Sequence, residues 1–171
     1  MKIAVLLGSP RKGMNTAKMV EAFAEGAKEA GHEVTVIDVT KKKVGGCLAC
    51  EYCHTKGNGV CVQKDDMAEI DAVLKSVEGI VFASPIYYFT LTAQLQDVIQ
   101  RFYATNKYLN IKKSAMILSS GSPNVYAGAM GEFEGLNGYM GWKSVGIVTA
   151  HGDENGTPEK LAACRDLAKQ F

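Results

Sequence analysis

Four cysteines, Cys47, Cys50, Cys53 and Cys61, follow one another as C-x2-C-x2-C-x7-C. Thiols two residues apart can curl around one point, and a fourth can join from a short excursion, which suits metal or redox chemistry. A polynuclear iron cluster, a zinc ion, or no ion at all (free thiols or a disulfide) each remain open. Structural zinc sites more often pair two C-x2-C units across a longer gap. In the bacterial ferredoxin run the fourth cysteine follows closely and precedes proline; here Val62 follows Cys61. His54 adjoins Cys53 and is read as solvated rather than ligating.

Two other stretches carry polar groups in suggestive order. Gly8 to Thr16 reads GSPRKGMNT. Ser9, Arg11, Asn15 and Thr16 offer hydroxyl, guanidinium and amide donors that can surround one terminal phosphate dianion. The G-x-x-x-x-G spacing from Gly8 to Gly13 matches a nucleotide triphosphatase loop, but Met14-Asn15 replaces its Lys-Ser/Thr pair. The dinucleotide fingerprint G-x-G-x-x-G is absent as well. In Ser84 to Thr90, SPIYYFT, three aromatics follow a buried run. They can flank a planar ring while backbone N–H groups read its polar edge, or they can simply cap the core.

The elements that must hold these loops are legible as alternating patterns. Apolar runs at Ile3–Leu7, His32–Val39, Gly79–Ser84, Ser114–Ser120 and Lys143–Ala150 predict five strands. Runs apolar on both faces belong to parallel strands covered on both sides. Helical spacing predicts helices over Met14–Ala30, from an Asp65-Asp66 cap through Val77, over Leu91–Tyr103, from Tyr126 to Leu136 and over Thr157–Gln170. Alternating strands and helices predict an α/β fold, a flavodoxin-like three-layer sandwich with a five-stranded parallel sheet in the order 2-1-3-4-5. Ligands of such a sheet bind at the carboxyl ends of the strands, near the switch between strands one and three. The phosphate loop and the aromatic loop share that rim.

Composition narrows the classes. The 171 residues predict a single domain, 1–171, carrying a Cys-rich loop at about 41–63. A net charge of +1 gives no reason to expect nucleic acid or an anionic membrane as partner, and no apolar stretch is long enough to span a bilayer. The apolar start is too short for a signal peptide and leads into Arg11-Lys12, so a cytoplasmic protein is expected. The odd cysteine, Cys164, reads as a small buried side chain. Lys41-Lys42-Lys43 reads as a solvated turn, and His32 as structural. His151 and Asp153 fall on the ligand rim without an assigned task.

With these motifs in the order GSPRKGMNT, cysteine loop with KDDM, SPIYYFTLTAQLQ, the chain resembles the NADPH-dependent FMN reductase and iron-sulfur flavoprotein families of the flavodoxin-like superfamily, over residues 1 to about 150. The resemblance implies that Ser9, Arg11, Asn15 and Thr16 hold an FMN phosphate and that Pro85, Ile86, Tyr87 and Tyr88 line the isoalloxazine ring. Ser119, Ser120 and Gly121 would contact the flavin's other side. It also implies that Cys47, Cys50, Cys53 and Cys61 hold a [4Fe–4S] cluster.

The expected function is that of an FMN-dependent NAD(P)H oxidoreductase passing electrons to a small-molecule or protein acceptor. No side chain is expected to be catalytic, because the chemistry resides in the flavin. The rival from another class is an electron-transfer carrier or redox sensor that does not oxidise NAD(P)H; a third is an azo- or quinone reductase without a cluster. Relatives of this size imply a homodimer or homotetramer.

Overall fold

The computed structural model describes residues 1–171. It opens with β1 (Lys2–Leu7), an inner strand in which Ile3, Ala4, Val5 and Leu6 are all fully buried. Burial on both faces explains the unbroken apolar run, since each large side chain contributes about 1.5–3 kcal/mol when removed from water. After β1 come α1 (Asn15–Glu29), β2 (Glu33–Asp38), α2 (Met67–Leu74), β3 (Gly79–Pro85) and α3 (Ala93–Arg101). β4 (Lys113–Ser120), α4 (Ala127–Met140), β5 (Lys143–His151) and α5 (Pro158–Ala168) complete the chain. The sheet is parallel in the order β2-β1-β3-β4-β5, as the sequence predicts.

Alternation within the strands sorts the core into two layers. Ala4, Leu6, Ile80, Phe82, Met116 and Leu118 face α2, α3 and α4, whereas Ile3, Val5, Val81, Ala83, Ala115 and Ile117 face α1 and α5. On the first face Phe82 meets Phe102, Phe133 and Trp142 with ring centroids 6.1 to 6.4 Å apart. Such pairs add about 0.5–1.5 kcal/mol each beyond their buried area. Cys164 is fully buried on the second face, and burial pushes its thiol up to about 12. It is a core side chain. None of the helices is long and apolar enough to cross a membrane.

Two predicted details shift. Asp65, not Asp66, satisfies the start of α2, accepting from the N–H of Met67 at 3.1 Å, while Asp66 accepts from Lys43 N–H at 2.7 Å. The third helix ends at Arg101, and its last predicted turn tightens into a 3₁₀ turn over Phe102–Ala104.

Candidate functional site

The switch between β1 and β3 opens into a cavity of about 380 Å³ at the strands' carboxyl ends. Its lining includes Ser9, Arg11, Asn15, Thr16, Pro85, Ile86, Tyr87, Ser119, Ser120 and Gly121. Those are ten of the eleven residues that the sequence assigns to one ligand, drawn from three loops. Tyr88 is the exception. Its backbone is left-handed (φ +46°) and its side chain is 97% exposed, so it stands away from the cavity. Alternation, which would place neighbours on opposite faces, cannot be extended through a left-handed turn.

The end of the cavity lined by Ser9 to Thr16 can take an anion. No side chain caps α1, and its first turn holds no acidic residue, so its N–H groups and the positive end of its dipole are open to a ligand. Thr16 and Ser119 join their hydroxyls at 2.6 Å in the buried floor of the cavity. Arg11 is exposed at the rim.

The phosphate loop and the aromatic loop are bolted together behind the cavity. Thr92 is the residue before α3, where its hydroxyl would ordinarily cap the helix; instead it donates to the Gly8 carbonyl at 2.8 Å. Ser84 Oγ in turn accepts from Thr92 N–H at 3.1 Å. A Cβ on Gly8 would sit 2.6 Å from Thr92 Oγ1, so this close approach requires glycine. The aromatic turn closes on itself through reciprocal Tyr87–Thr90 backbone hydrogen bonds of 3.1 and 3.2 Å. It rests on α4 at Gly128, where an added Cβ would lie 2.5 Å from the Phe89 carbonyl oxygen.

Three lining residues escaped the sequence reading: Met14 just ahead of α1, and Gly152 and Asn155, in the 3₁₀ turn after β5 and just beyond it. Asn155 Nδ2 donates to the Ser120 and Gly152 carbonyls at 2.8 and 3.0 Å, while its buried Oδ1 has no partner. An unclaimed buried acceptor beside the cavity suits a ligand donor. For Gly152 and Asn155 the available signal was their place on the ligand rim after a fifth strand. His151 and Asp153 share that rim; the His151 ring pairs with Glu154 at 3.0 Å.

The cysteine loop lies elsewhere. Cys47, Cys50, Cys53 and Cys61 all line one notch, together with Arg101 at the far end of α3 and Tyr103 and Ala104 of the 3₁₀ turn that follows it. It shares no lining residue with the switch-point cavity. The nine residues of α3 separate Arg101 from the Thr92 end by about 13 Å along the helix. Ala49 and Glu51 flank Cys50 in left-handed conformations, φ +50° and +55°, a strained curl of the kind found at ligand clamps. Ala49 N–H donates to Cys47 Sγ at 3.4 Å. His54, predicted to be solvated, is exposed; it hydrogen-bonds the Tyr103 carbonyl at 2.9 Å and packs edge-on against that ring.

The four thiols share the notch, yet no three Cys, His or acidic side chains are grouped for a single metal ion. One tetrahedral zinc needs sulfurs about 3.8 Å apart, from Zn–S bonds of ~2.3 Å. A cubane binds each thiolate to a different iron, and four cysteines lining one notch are the kind of donor set it takes.

Beneath this loop, Arg101 is 97% buried. It donates to Asp65 at 2.6 and 3.3 Å and to the Gly45 carbonyl at 2.9 Å. Burial alone would push the Asp65 carboxyl up; the Arg101 guanidinium, aided by the N–H groups of Gly45 and Met67, outweighs it and holds the carboxyl below its ordinary value.

The sequence pattern of the family described as NADPH-dependent FMN reductase matches residues 1–145. An iron-sulfur flavoprotein of Archaeoglobus fulgidus is 37% identical over 150 residues, covering 86% of this chain and 65% of the relative. One from Methanosarcina thermophila is 36% identical over 127 residues, covering 72% and 65%. The chain thus spans slightly under two thirds of the length of these relatives. Among solved structures, a NAD(P)H:quinone oxidoreductase from Methanothermobacter marburgensis superposes with a TM-score of 0.74 at 19% identity, over 99% of this chain and 96% of that one. An FMN-dependent NADH-azoreductase from Bacillus anthracis, in complex with FMN, gives 0.71 at 18% identity, over 99% and 97%. These two likenesses establish the flavodoxin-like fold.

Proposed function

The chain belongs to the NADPH-dependent FMN reductase family, and on that footing we propose that it is an FMN-dependent oxidoreductase of the iron-sulfur flavoprotein type. It takes reducing equivalents from NAD(P)H or a reduced carrier and passes them to a small-molecule or protein acceptor. The carrying observation is the convergence of ten residues from three loops on one switch-point cavity beside an uncapped helix start. FMN held there would supply the redox chemistry, hydride transfer and one-electron transfer alike.

The chain's own residues bind and orient. Ser9, Arg11, Asn15, Thr16 and the open N–H groups of α1 hold the phosphate. Pro85, Ile86 and the Tyr87 ring flank the isoalloxazine, and backbone N–H groups of that loop can meet the negative charge that grows at the ring's pyrimidine edge. Ser119, Ser120 and Gly121 close the opposite side. Cys47, Cys50, Cys53 and Cys61 hold a [4Fe–4S] cluster in the second notch, a reading supported by the shared lining and by the relatives' names.

The whole of 1–171 acts as one FMN-binding domain, with the Cys-rich loop as an appendage on α2 and α3. Five free cysteines support a reducing, cytoplasmic setting. Open space beside Gly135 and Gly138 of α4, with exposed Tyr139 nearby, supports a homodimer or homotetramer.

Anaerobic purification with a visible spectrum and iron and sulfide analysis tests both cofactors, and stopped-flow mixing with NADPH and NADH tests the donor. Protein that stays colourless and takes up no added FMN overturns the proposal. A second reading, an electron carrier, draws on the exposed apolar side chains of the cysteine loop, Leu48 at 65%, Val60 at 67% and Val62 at 44% exposure, which suit a docking protein. Flavin reduced by a ferredoxin but inert to both nicotinamides would favour it.

A further inference from the structure

Arg101 fastens the cysteine loop at both ends. Its guanidinium holds the Gly45 carbonyl just before Cys47 and the Asp65 carboxylate just after Cys61, and Asp65 also accepts from Gly45 N–H at 3.2 Å. Four thiols are thereby strung on a loop closed over one buried cation. That cation is incompletely used: Nε is buried and finds no acceptor. A buried N–H without a partner is unfavourable, and in a charged group more so. Of the ten residues lining the notch, Arg101 among them, four are cysteines, against one carboxylate, Glu51, and one side-chain amide, Gln63.

We propose that Arg101 is the potential-setting and positioning residue of this notch, its unclaimed Nε–H serving a sulfur of the cysteine site and its fixed charge stabilising the reduced state of a cluster held there. This rests on the reading that the four thiolates carry an iron–sulfur cluster. Reduction delivers one electron to the cluster iron, from dithionite in a titration or from reduced flavin in turnover. No proton moves at Arg101, which is ionised in both states. The added negative charge therefore meets an unchanging positive one, in a site where burial weakens screening. Charge and hydrogen bonds to sulfur are among the levers that set such potentials. Asp65 pulls in the opposite sense, because it neutralises part of the same cation.

The test is an EPR-monitored redox titration of the anaerobically reconstituted full chain, comparing wild type with R101Q, R101K and D65N. R101Q is expected to move the oxidised-to-reduced ratio at a given potential about tenfold toward oxidised, a fall of about 59 mV for one electron. D65N should shift it the other way, and R101K, which keeps the charge, should lie nearer wild type than R101Q. A purely structural role would not produce opposed shifts. An unchanged potential in R101Q, or R101Q and D65N moving together, overturns the inference. Should R101Q fail to retain iron, an unshifted D65N overturns it alone. Wild-type protein that holds no iron after reconstitution overturns the cluster reading itself, a failure distinct from a loaded wild type with an indifferent Arg101.

Discussion

Replacing Gly128 by alanine tests whether the aromatic loop is set by what lies beneath it. The new Cβ would stand 2.5 Å from the Phe89 carbonyl oxygen. An ordinary contact is about 3.5 Å, so roughly 1 Å must be yielded by one of two backbones. The helix gains about 0.8–1 kcal/mol from the better helix former, while overpacking costs about 1–3 kcal/mol. The balance is a loss of about 0–2 kcal/mol, a fall in Tm of about 2–4 °C per kcal/mol for a chain of this length.

Flavin binding should suffer more than stability does. The turn has little slack, since Tyr88 and Phe89 already sit at φ +46° and +70°, which costs about 1–2 kcal/mol apiece for residues with a side chain. Displacement therefore passes to Tyr87, the member of the turn that lines the cavity. A loss of about 1.4 kcal/mol, tenfold in Kd, is expected by titrating FMN fluorescence against apoprotein. Gly131→Ala is the control, because nothing lies within 4 Å of its added methyl group. It should raise stability by about 0.8–1 kcal/mol and leave affinity alone. Wild-type FMN affinity in Gly128→Ala, or equal weakening in both variants, refutes the reasoning.

Thr16→Val leaves the buried Ser119 hydroxyl without its 2.6 Å partner and should cost about 1–3 kcal/mol in urea unfolding, besides weakening FMN. Asn155→Ala removes the tie to the Ser120 carbonyl and should raise the Kd for FMN about fivefold to tenfold, about 1–1.4 kcal/mol; an unchanged Kd would exclude Asn155 from the site. Stability against pH should separate two carboxylates of opposite sign. Burial opposes ionisation of Asp71, but hydrogen bonds from Lys75, Thr105 and Tyr108 outweigh it and depress its carboxyl. Its stabilisation is thus present above the unfolded value of about 3.9 and lost as pH falls through the lower folded value. Asp71→Asn should therefore lower Tm at pH 7 and converge on wild type in acid. Burial raises Glu132, only partly offset by Gln96, so its ionised form works against folding above the unfolded value of about 4.3. Glu132→Gln should raise Tm at pH 7, a gain that vanishes on acidification; a gain that persists in acid would contradict that assignment.

Much of this was legible beforehand because the sheet is buried on both faces. The runs Ile3–Leu6 and Ile80–Ala83 can only be central strands, and from them follow the strand order, the switch point and the rim that carries Ser9 and Pro85. Legibility ended where neighbours stop obeying a period. Tyr87 and Tyr88 are alike in type, and a left-handed turn sends one to the cavity and the other to solvent. Asp65 and Asp66 are equivalent as helix caps until Arg101 claims Asp65, thirty-six positions before it. Arg101 looks like any basic residue closing a helix; its burial under the cysteines depends on a loop whose path no local pattern records. The separation of the thiol notch from the flavin cavity follows from that same path.

If the bare start of α1 takes the flavin phosphate as proposed, ligand supply becomes part of the protein's quality control. A helix that waits for a phosphate to complete its first turn is least stable in the empty molecule, and ligand at a hundredfold over Kd adds about 2.7 kcal/mol to folding. Newly made chains that find flavin would be withdrawn from the unfolded pool, while those that do not would open more often and reach proteases first. Abundance in the cell would then track flavin status without any dedicated sensor, and limited proteolysis at graded FMN concentrations should trace the same curve as binding.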